Sequence, residues 1–414
     1  MDGTLDVFLL EKFVGRLDYT RHHNEFVFAY DGEYLKDPVQ GALSFSLPLR
    51  EMPYVGEVAA NYFGNLLPPE VVRKKLGLSL HMSRHNVFGF LKALGRDCAG
   101  AVSLYPEGEA PPALSEEHVR ELTEAEALDI LKSLPQRPLY AVGEKGYRYS
   151  GAGAQDKLIV RVVDGKVVLP LDGTPSTHII KPSAREFPHS VFNENFCQAL
   201  AAEVGLTAAK SQILRLCGEP YYVTERYDRE RVDGLVRRLH QEDFCQMLSV
   251  DQEGKYEEDG GPGIRDCHST LRKLHAPIPS QLMFLKYVIF NFLTGNADCH
   301  AKNYSVIYHG RKAVIAPLYD AVCTLVYPRL SKETAMRIGG DADFASVTRA
   351  SFGKMAEDCE IRPTLVHETL DEMAEAIVPA AKRLAEALSD GGEPSPVYAE
   401  IVKVIEGQIA RVAA

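Results

Sequence analysis

Residues 290–320 read FNFLTGNADCHAKNYSVIYHGRKAVIAPLYD, and the fold is read outward from them. The apolar run from Met283 to Thr294 is broken by Lys286 and too short to cross a bilayer, so it predicts a buried helix. It empties into a polar loop crowded with Asn296, Asp298, His300, Lys302 and Asn303. Any one of these side chains alone reads as a helix cap that satisfies nearby backbone. Together they form a constellation of the kind that carries chemistry. Two strand-like runs come next, Tyr304 to Tyr308 and Ala313 to Leu318, with His309-Gly310-Arg311-Lys312 between them. That pattern predicts a returning hairpin that brings Tyr319-Asp320 back beside the polar loop.

A carboxylate near an acceptor hydroxyl can orient it and take its proton, and an amide oxygen is a hard ligand for magnesium. Asp298 and Asn303 stand five apart, the separation of the base and the metal-binding Asn in a protein-kinase catalytic loop. This spacing makes Asp298 the candidate base, Asn303 a candidate metal ligand, and Asp320 the carboxylate that completes the metal site. Tyr319-Asp320-Ala321 departs from the Asp-Phe-Gly of ordinary protein kinases. A zinc or di-metal hydrolase competes, since His300 and Asp298 can ligate metals, but it lacks a third close His or Cys ligand.

Upstream, Ser150-Gly151-Ala152-Gly153-Ala154-Gln155-Asp156-Lys157 is a small-residue turn whose backbone N–H groups can approach phosphates closely. It lacks the ending of a P-loop, and tight turns explain most such stretches. The hairpin after it is clearer: Leu158 to Val163 and Val167 to Leu169 flank Asp164-Gly165. His178 to Lys181 reads as a strand, with Lys181 at its end like the strand lysine that neutralises ATP phosphates. Phe192 to Val204 reads as a helix closed by Gly205, and Tyr221 to Thr224 as a strand. Glu194, thirteen residues after Lys181, is a candidate partner for it, although it projects opposite the stripe of Phe192, Phe196, Ala199 and Leu200, so an exposed glutamate is an equal expectation.

The first hundred residues alternate short strands (Leu5 to Leu10, Glu25 to Tyr30) with helical stretches such as Glu70 to Leu76, and PEGEAPPAL from Pro106 suits a crossing between units. Ser115-Glu116-Glu117 reads as the opening of a helix. From about residue 240 helical periodicity dominates. The expected fold is α+β: a β-rich lobe before a mainly helical C-terminal lobe, with an added N-terminal α+β subdomain, divided as 1–110, 111–228 and 229–414.

At 414 residues, with 45% apolar and 25% charged residues, the chain falls among ordinary globular proteins with room for several cores. Eight scattered cysteines and an N-terminus without a secretory pattern lead us to expect a reducing cytoplasm and no membrane. A net charge of −11 argues against unaided DNA binding, which needs clustered Lys/Arg. The local pair Arg237-Arg238 reads as solvated surface.

Several separate segments resemble the HipA kinase family over nearly the whole chain. They are LSFSLPLR from Leu43, NYFGNLLPPE from Asn61, ALGRDCAGAVSLYP from Ala93, SGAGAQDKL, HIIKPS, NENFC, ERYDR, RLHQEDFCQ, GNADCHAKN, the pair YD and MRIGG. The resemblance implies a two-lobed HipA-like fold related to protein kinases, and a Ser/Thr kinase toxin that uses ATP and Mg2+. It implies ATP binding by Ala152, Gly153, Ala154, Gln155, Asp156 and Lys157, by Lys181, and by a hinge of Glu225, Arg226 and Tyr227. It supports Asp298 as catalytic base and Asn303 and Asp320 as magnesium ligands, with His300, Ala301, Lys302 and Tyr319 as further parts of the nucleotide site. Ser150 matches the family's autophosphorylation position. The implied partner is a HipB-like helix-turn-helix antitoxin that carries the toxin to operator DNA, and one substrate class of the family is glutamyl-tRNA synthetase. A silent corepressor module and a kinase of lipids or small molecules are the rival readings.

Overall fold

The computed structural model describes residues 3–20, 22–141, 143–151 and 153–413. In Glu25–Tyr30 every second side chain is apolar and buried, the period of a half-buried strand. This strand lies in a five-stranded antiparallel sheet with neighbours, in spatial order, Tyr54–Val55, Glu25–Tyr30, Lys12–Thr20, Gly3–Leu9 and Val102–Pro106. Helices Glu57–Gly64, Glu70–Leu80 and Val87–Leu94 accompany it. Residues 107–118, which include most of the Pro/Glu-rich crossing, contain no strand or helix.

A second, six-stranded sheet runs Ser211–Leu216, Glu219–Glu225, His178–Lys181, Leu158–Val163, Lys166–Pro170, Val119–Glu121. The expected hairpin is present: Val163 faces Lys166, and Asp164 and Gly165 both have positive φ (49° and 77°), as a two-residue type I′ turn requires. The expected helix at Ser115 is not. The helix begins at Glu124, because Thr123 and Glu126 cap each other's backbone N–H reciprocally, and Val119–Glu121 is drawn onto the edge of the sheet instead.

Helices Ile264–Lys273, Ile278–Leu293, Arg349–Asp358, Pro363–Asp390 and Val397–Val412 build the C-terminal lobe. Helix Ile278–Leu293 packs on a small sheet of His240–Asp243, Ser305–His309 and Lys312–Ile315. Among the described residues no helix is long and apolar enough to cross a membrane.

The apolar cores do not follow the expected units. Leu5, Phe28 and Phe63 of the first sheet region belong to one buried cluster with Leu158, Ile180 and Val223 of the second. Phe196 and Leu200, on helix Ser190–Glu203, belong with Phe284, Phe290 and Ile401 of the C-terminal lobe.

Charge also crosses between units. Asp97 is fully buried and accepts hydrogen bonds from Arg226 (3.2 Å), Arg229 (2.9 Å), Arg238 (2.9 Å) and the Ser176 hydroxyl (2.6 Å). Arg226 and Arg229 reach Asp228 as well. The Arg237-Arg238 pair is therefore not a solvated patch: strand Leu235–Arg238 alternates, so Arg237 is exposed and Arg238 is buried on Asp97. Burial by itself would raise the Asp97 carboxyl, but the three guanidiniums overcome it and hold it well below the usual range.

Asp97→Asn leaves buried guanidiniums without their counter-charge and is expected to cost about 3–5 kcal/mol in urea unfolding at neutral pH. A depressed folded-state carboxyl stabilises above the unfolded pKa, so the gap between variant and wild type should narrow as pH falls below ~4. Equal unfolding midpoints at pH 7 would contradict a stabilising role for the Asp97 charge.

Candidate active site

Helix Ile278–Leu293 delivers the polar loop, and the loop is braced on all sides but one. Gly295 turns the chain at φ 71°, with Val404 only 2.7 Å from where a Cβ would stand. Asn296 binds Asn291 through its backbone N–H (2.8 Å) and its amide (2.8 Å), and the Ala297 N–H donates to Thr324 Oγ1 (2.8 Å). Asp298 is thereby left exposed between buried neighbours Ala297 and Cys299. Although it opens to solvent, the protein crowding it pushes its carboxyl above the usual range, against a hydrogen bond from Tyr256 and the charge of Lys255.

Beyond Asp298 comes a single 3-10 turn, Ala301–Asn303, and the strand pair that returns to Asp320. The Tyr319 hydroxyl ties the two ends together, lying 2.6 Å from the Lys302 carbonyl and 2.7 Å from Ser305 Oγ. Asn303 and Asp320 are thus flanked by residues bonded to one another. Asp320 takes a left-handed backbone (φ 52°) and an exposed side chain.

Lys181 meets that carboxylate from the other lobe. Its ammonium donates to Asp320 Oδ1 and Glu194 Oε1, each at 2.6 Å. Glu194 is not the exposed glutamate that its projection allowed: all eight residues from Val191 to Gln198 are buried, so over these two turns the helix has no solvent face for it to occupy. Burial opposes the Lys181 charge, and the two carboxylates outweigh it, holding the ammonium firmly protonated. Although its side chain opens to solvent, the protein crowding Asp320 works to raise its carboxyl, and the Lys181 ammonium outweighs this and holds it below the ordinary carboxylate range.

The glycine-rich segment lies beside this triad. Ala152 falls outside the described residues. Gly153 has φ 92°, Ala154 is exposed, Asp156 is half-buried, and Gln155 donates to the Pro182 carbonyl (3.4 Å), next to Lys181. Lys157 is buried, donates to the Gly153 carbonyl (3.1 Å), and is pushed down to about 8 by burial and by Lys181. Ser150 is buried in this conformation, with its hydroxyl donating to the Leu66 carbonyl (2.6 Å) and its N–H to the Asp97 carbonyl (3.0 Å).

Other expected site residues have partners of their own. The Lys302 ammonium is shared by Asp243 (2.6 Å) and the Asn65 side chain (2.7 Å), joining the polar loop to the N-terminal region. Ala301 is buried. His300 is buried with an edge-on Tyr256 ring at 5.1 Å, and burial keeps its imidazole neutral, far below the usual value. At the strand end, Glu225 is exposed and pairs with His178. Arg226 turns into the Asp97 network, and Tyr227 packs on Tyr319 at 5.3 Å. Tyr256, which donates to Asp298 Oδ1 at 2.6 Å, was not singled out from sequence: it lies 42 residues away in a loop without a recognisable pattern.

Two family models match the chain: the HipA N-terminal domain over residues 5–105 and the HipA-like C-terminal domain over residues 149–381. The chain belongs to the HipA family. The Sinorhizobium fredii protein Y4mE is 39% identical over 391 residues, 93% of each chain. The serine/threonine-protein kinase toxin HipA of Shewanella oneidensis is 28% identical over 388 residues, 90% of this chain and 87% of that one. The solved structure of Shewanella oneidensis HipA with HipB and operator DNA superposes with a TM-score of 0.84 at 26% identity, covering 98% of this chain and 96% of that chain. The expected α+β, HipA-like fold is therefore the fold of this protein, and the family is that of the HipA toxin kinases.

Glu194→Gln keeps the shape of the side chain and removes one of the two charges that hold Lys181. Charge-assisted hydrogen bonds contribute roughly 1.5–3 kcal/mol, so Mg-ATP affinity measured by calorimetry should fall about tenfold or more. Unchanged affinity would show that Asp320 alone suffices to place the ammonium.

Proposed function

We propose that this HipA-family chain is an ATP- and magnesium-dependent serine/threonine protein kinase, organised as units 1–110, 111–228 and 229–414 and acting as a toxin on a cytoplasmic protein. The observation that carries the reading is the Lys181 ammonium bridging Glu194 and Asp320, with Asp298 and Asn303 on the loop tied to Asp320. A silent binding module has no need of a buried lysine held charged by two carboxylates.

Lys181 binds phosphate oxygens of ATP, with the backbone of Gly153 to Lys157 and the hinge at Glu225 to Tyr227 completing the nucleotide site. Asn303 and Asp320 supply an amide oxygen and a carboxylate, hard donors that suit magnesium. Magnesium, when bound there, neutralises charge on the transferring phosphates. Asp298 accepts the proton of a serine or threonine hydroxyl while the hydroxyl oxygen bonds to the γ-phosphorus. The bond from that phosphorus to the β–γ bridging oxygen breaks, and ADP leaves. Glutamyl-tRNA synthetase is the first target to assay, and growth arrest is the expected outcome. With a net charge of −11, any DNA contact of this chain comes through a basic HipB-like antitoxin; the Shewanella complex contains HipA, HipB and operator DNA.

Asp298→Asn and Asp320→Asn should each abolish transfer from labelled ATP while the proteins stay folded, and Asp320→Asn should weaken Mg-ATP binding more. Near wild-type phosphorylation by folded Asp298→Asn would remove Asp298 as the base.

Ser150 is the proposed site of self-phosphorylation. Its hydroxyl has to leave the Leu66 carbonyl first, and a phosphate of roughly two negative charges cannot return to that buried seat. The phosphoform should therefore keep the glycine-rich segment displaced and bind ATP much more weakly, whereas Ser150→Ala escapes the shutdown. Calorimetry on separated forms checks this, and equal ATP affinities would rule it out.

A further inference from the structure

The hydroxyl of Tyr256 stands 2.6 Å from Asp298 Oδ1, and the chain on both sides of Tyr256 is pinned. On the N-terminal side, Asp251 caps the 3-10 turn Gln252–Gly254. Gln252 is buried with its amide among Leu67, Pro68 and Arg73, and Glu253 accepts the N–H of Glu70 (2.9 Å). On the C-terminal side, Glu257 accepts the N–H of Arg337 (2.6 Å). The Tyr256 carbonyl itself accepts from Gly261 (2.8 Å) and Asp259 (3.1 Å). Gly261 closes this loop so tightly that a Cβ there would stand 2.3 Å from the Gly254 carbonyl oxygen and 2.7 Å from that of Tyr256. The ring is further fixed by His300 edge-on at 5.1 Å and by the Lys255 ammonium 5.0 Å from its centre.

We infer that Tyr256 is a positioning residue for phosphoryl transfer: its hydroxyl, held by a pinned loop, fixes the rotamer of the otherwise exposed Asp298. This rests on the reading of Asp298 as the base. A swinging gate would need a free segment, and this one is tied to the N-terminal region on one side and to strand Glu333–Ile338 on the other. The hydrogen bond occupies Oδ1 and turns Oδ2 to the acceptor hydroxyl. An exposed carboxylate without such a tether samples several rotamers, and misplacement of a reacting group is expensive in rate.

The test is Tyr256→Phe in the full chain, with loss of γ-phosphate from labelled ATP, to the chain itself or to water, followed under Mg-ATP. We expect turnover to fall about tenfold with the KM for ATP and the melting temperature essentially unchanged. A crystal structure of Tyr256→Phe supplies a reading independent of activity, in which Asp298 should occupy more than one rotamer. Wild-type turnover in Tyr256→Phe, or an unmoved single Asp298 rotamer, overturns the inference. Full activity of folded Asp298→Asn would instead bring down the base assignment, and this inference with it.

Discussion

The architecture converges on one buried ammonium. Lys181 leaves a strand of one lobe, finds Glu194 on a helix whose core lies in the other lobe, and reaches Asp320 at the end of the returning hairpin. A charge taken out of water is tolerable only with counter-charges and hydrogen bonds in place. The position of the helix, the return of the hairpin and the left-handed turn at Asp320 are therefore mutually dependent: displacement of any of them leaves a charge unmatched.

Around this centre the N-terminal region is a structural member of the two lobes. It shares an apolar core with the second sheet, supplies Asp97 to three arginines near the hinge, lends Asn65 to Lys302, and seats Ser150 on the Leu66 carbonyl. It also anchors the loop that carries Tyr256. Buried polar clusters of this kind are stable only when nearly every member is satisfied, so they also fix the relative placement of the parts they join.

How much of this was legible in the sequence depends on the range of each interaction. The Asp164-Gly165 hairpin and the strand at Lys181 are set by neighbours within a few residues, and both were readable. So was the grouping of Asp298, Asn303 and Asp320, because a single hairpin connects them. Glu194 was left open because helical projection assumes a solvent face, and its helix has none from Val191 to Gln198. Arg238 was misread because its partner, Asp97, is 141 residues distant. The helix start at Ser115 failed to a better cap a few residues on, at Thr123. Tyr256 carried no local signature at all, since a phenol in an acidic loop acquires meaning only once the carboxylate it touches is known.

The dispersal of these contacts has a consequence for the making of the protein. The ribosome releases the chain from its N-terminus, and the first sheet region emerges with its core unfinished, because Leu158, Ile180 and Val223 belong to it. At elongation speeds of roughly 5–20 residues per second, this apolar face waits several seconds for its other half. Lys181 waits longer still for Asp320. An incomplete chain thus cannot close the Lys181–Glu194–Asp320 cluster, and its two lobes stay unlatched until residue 320 has been added.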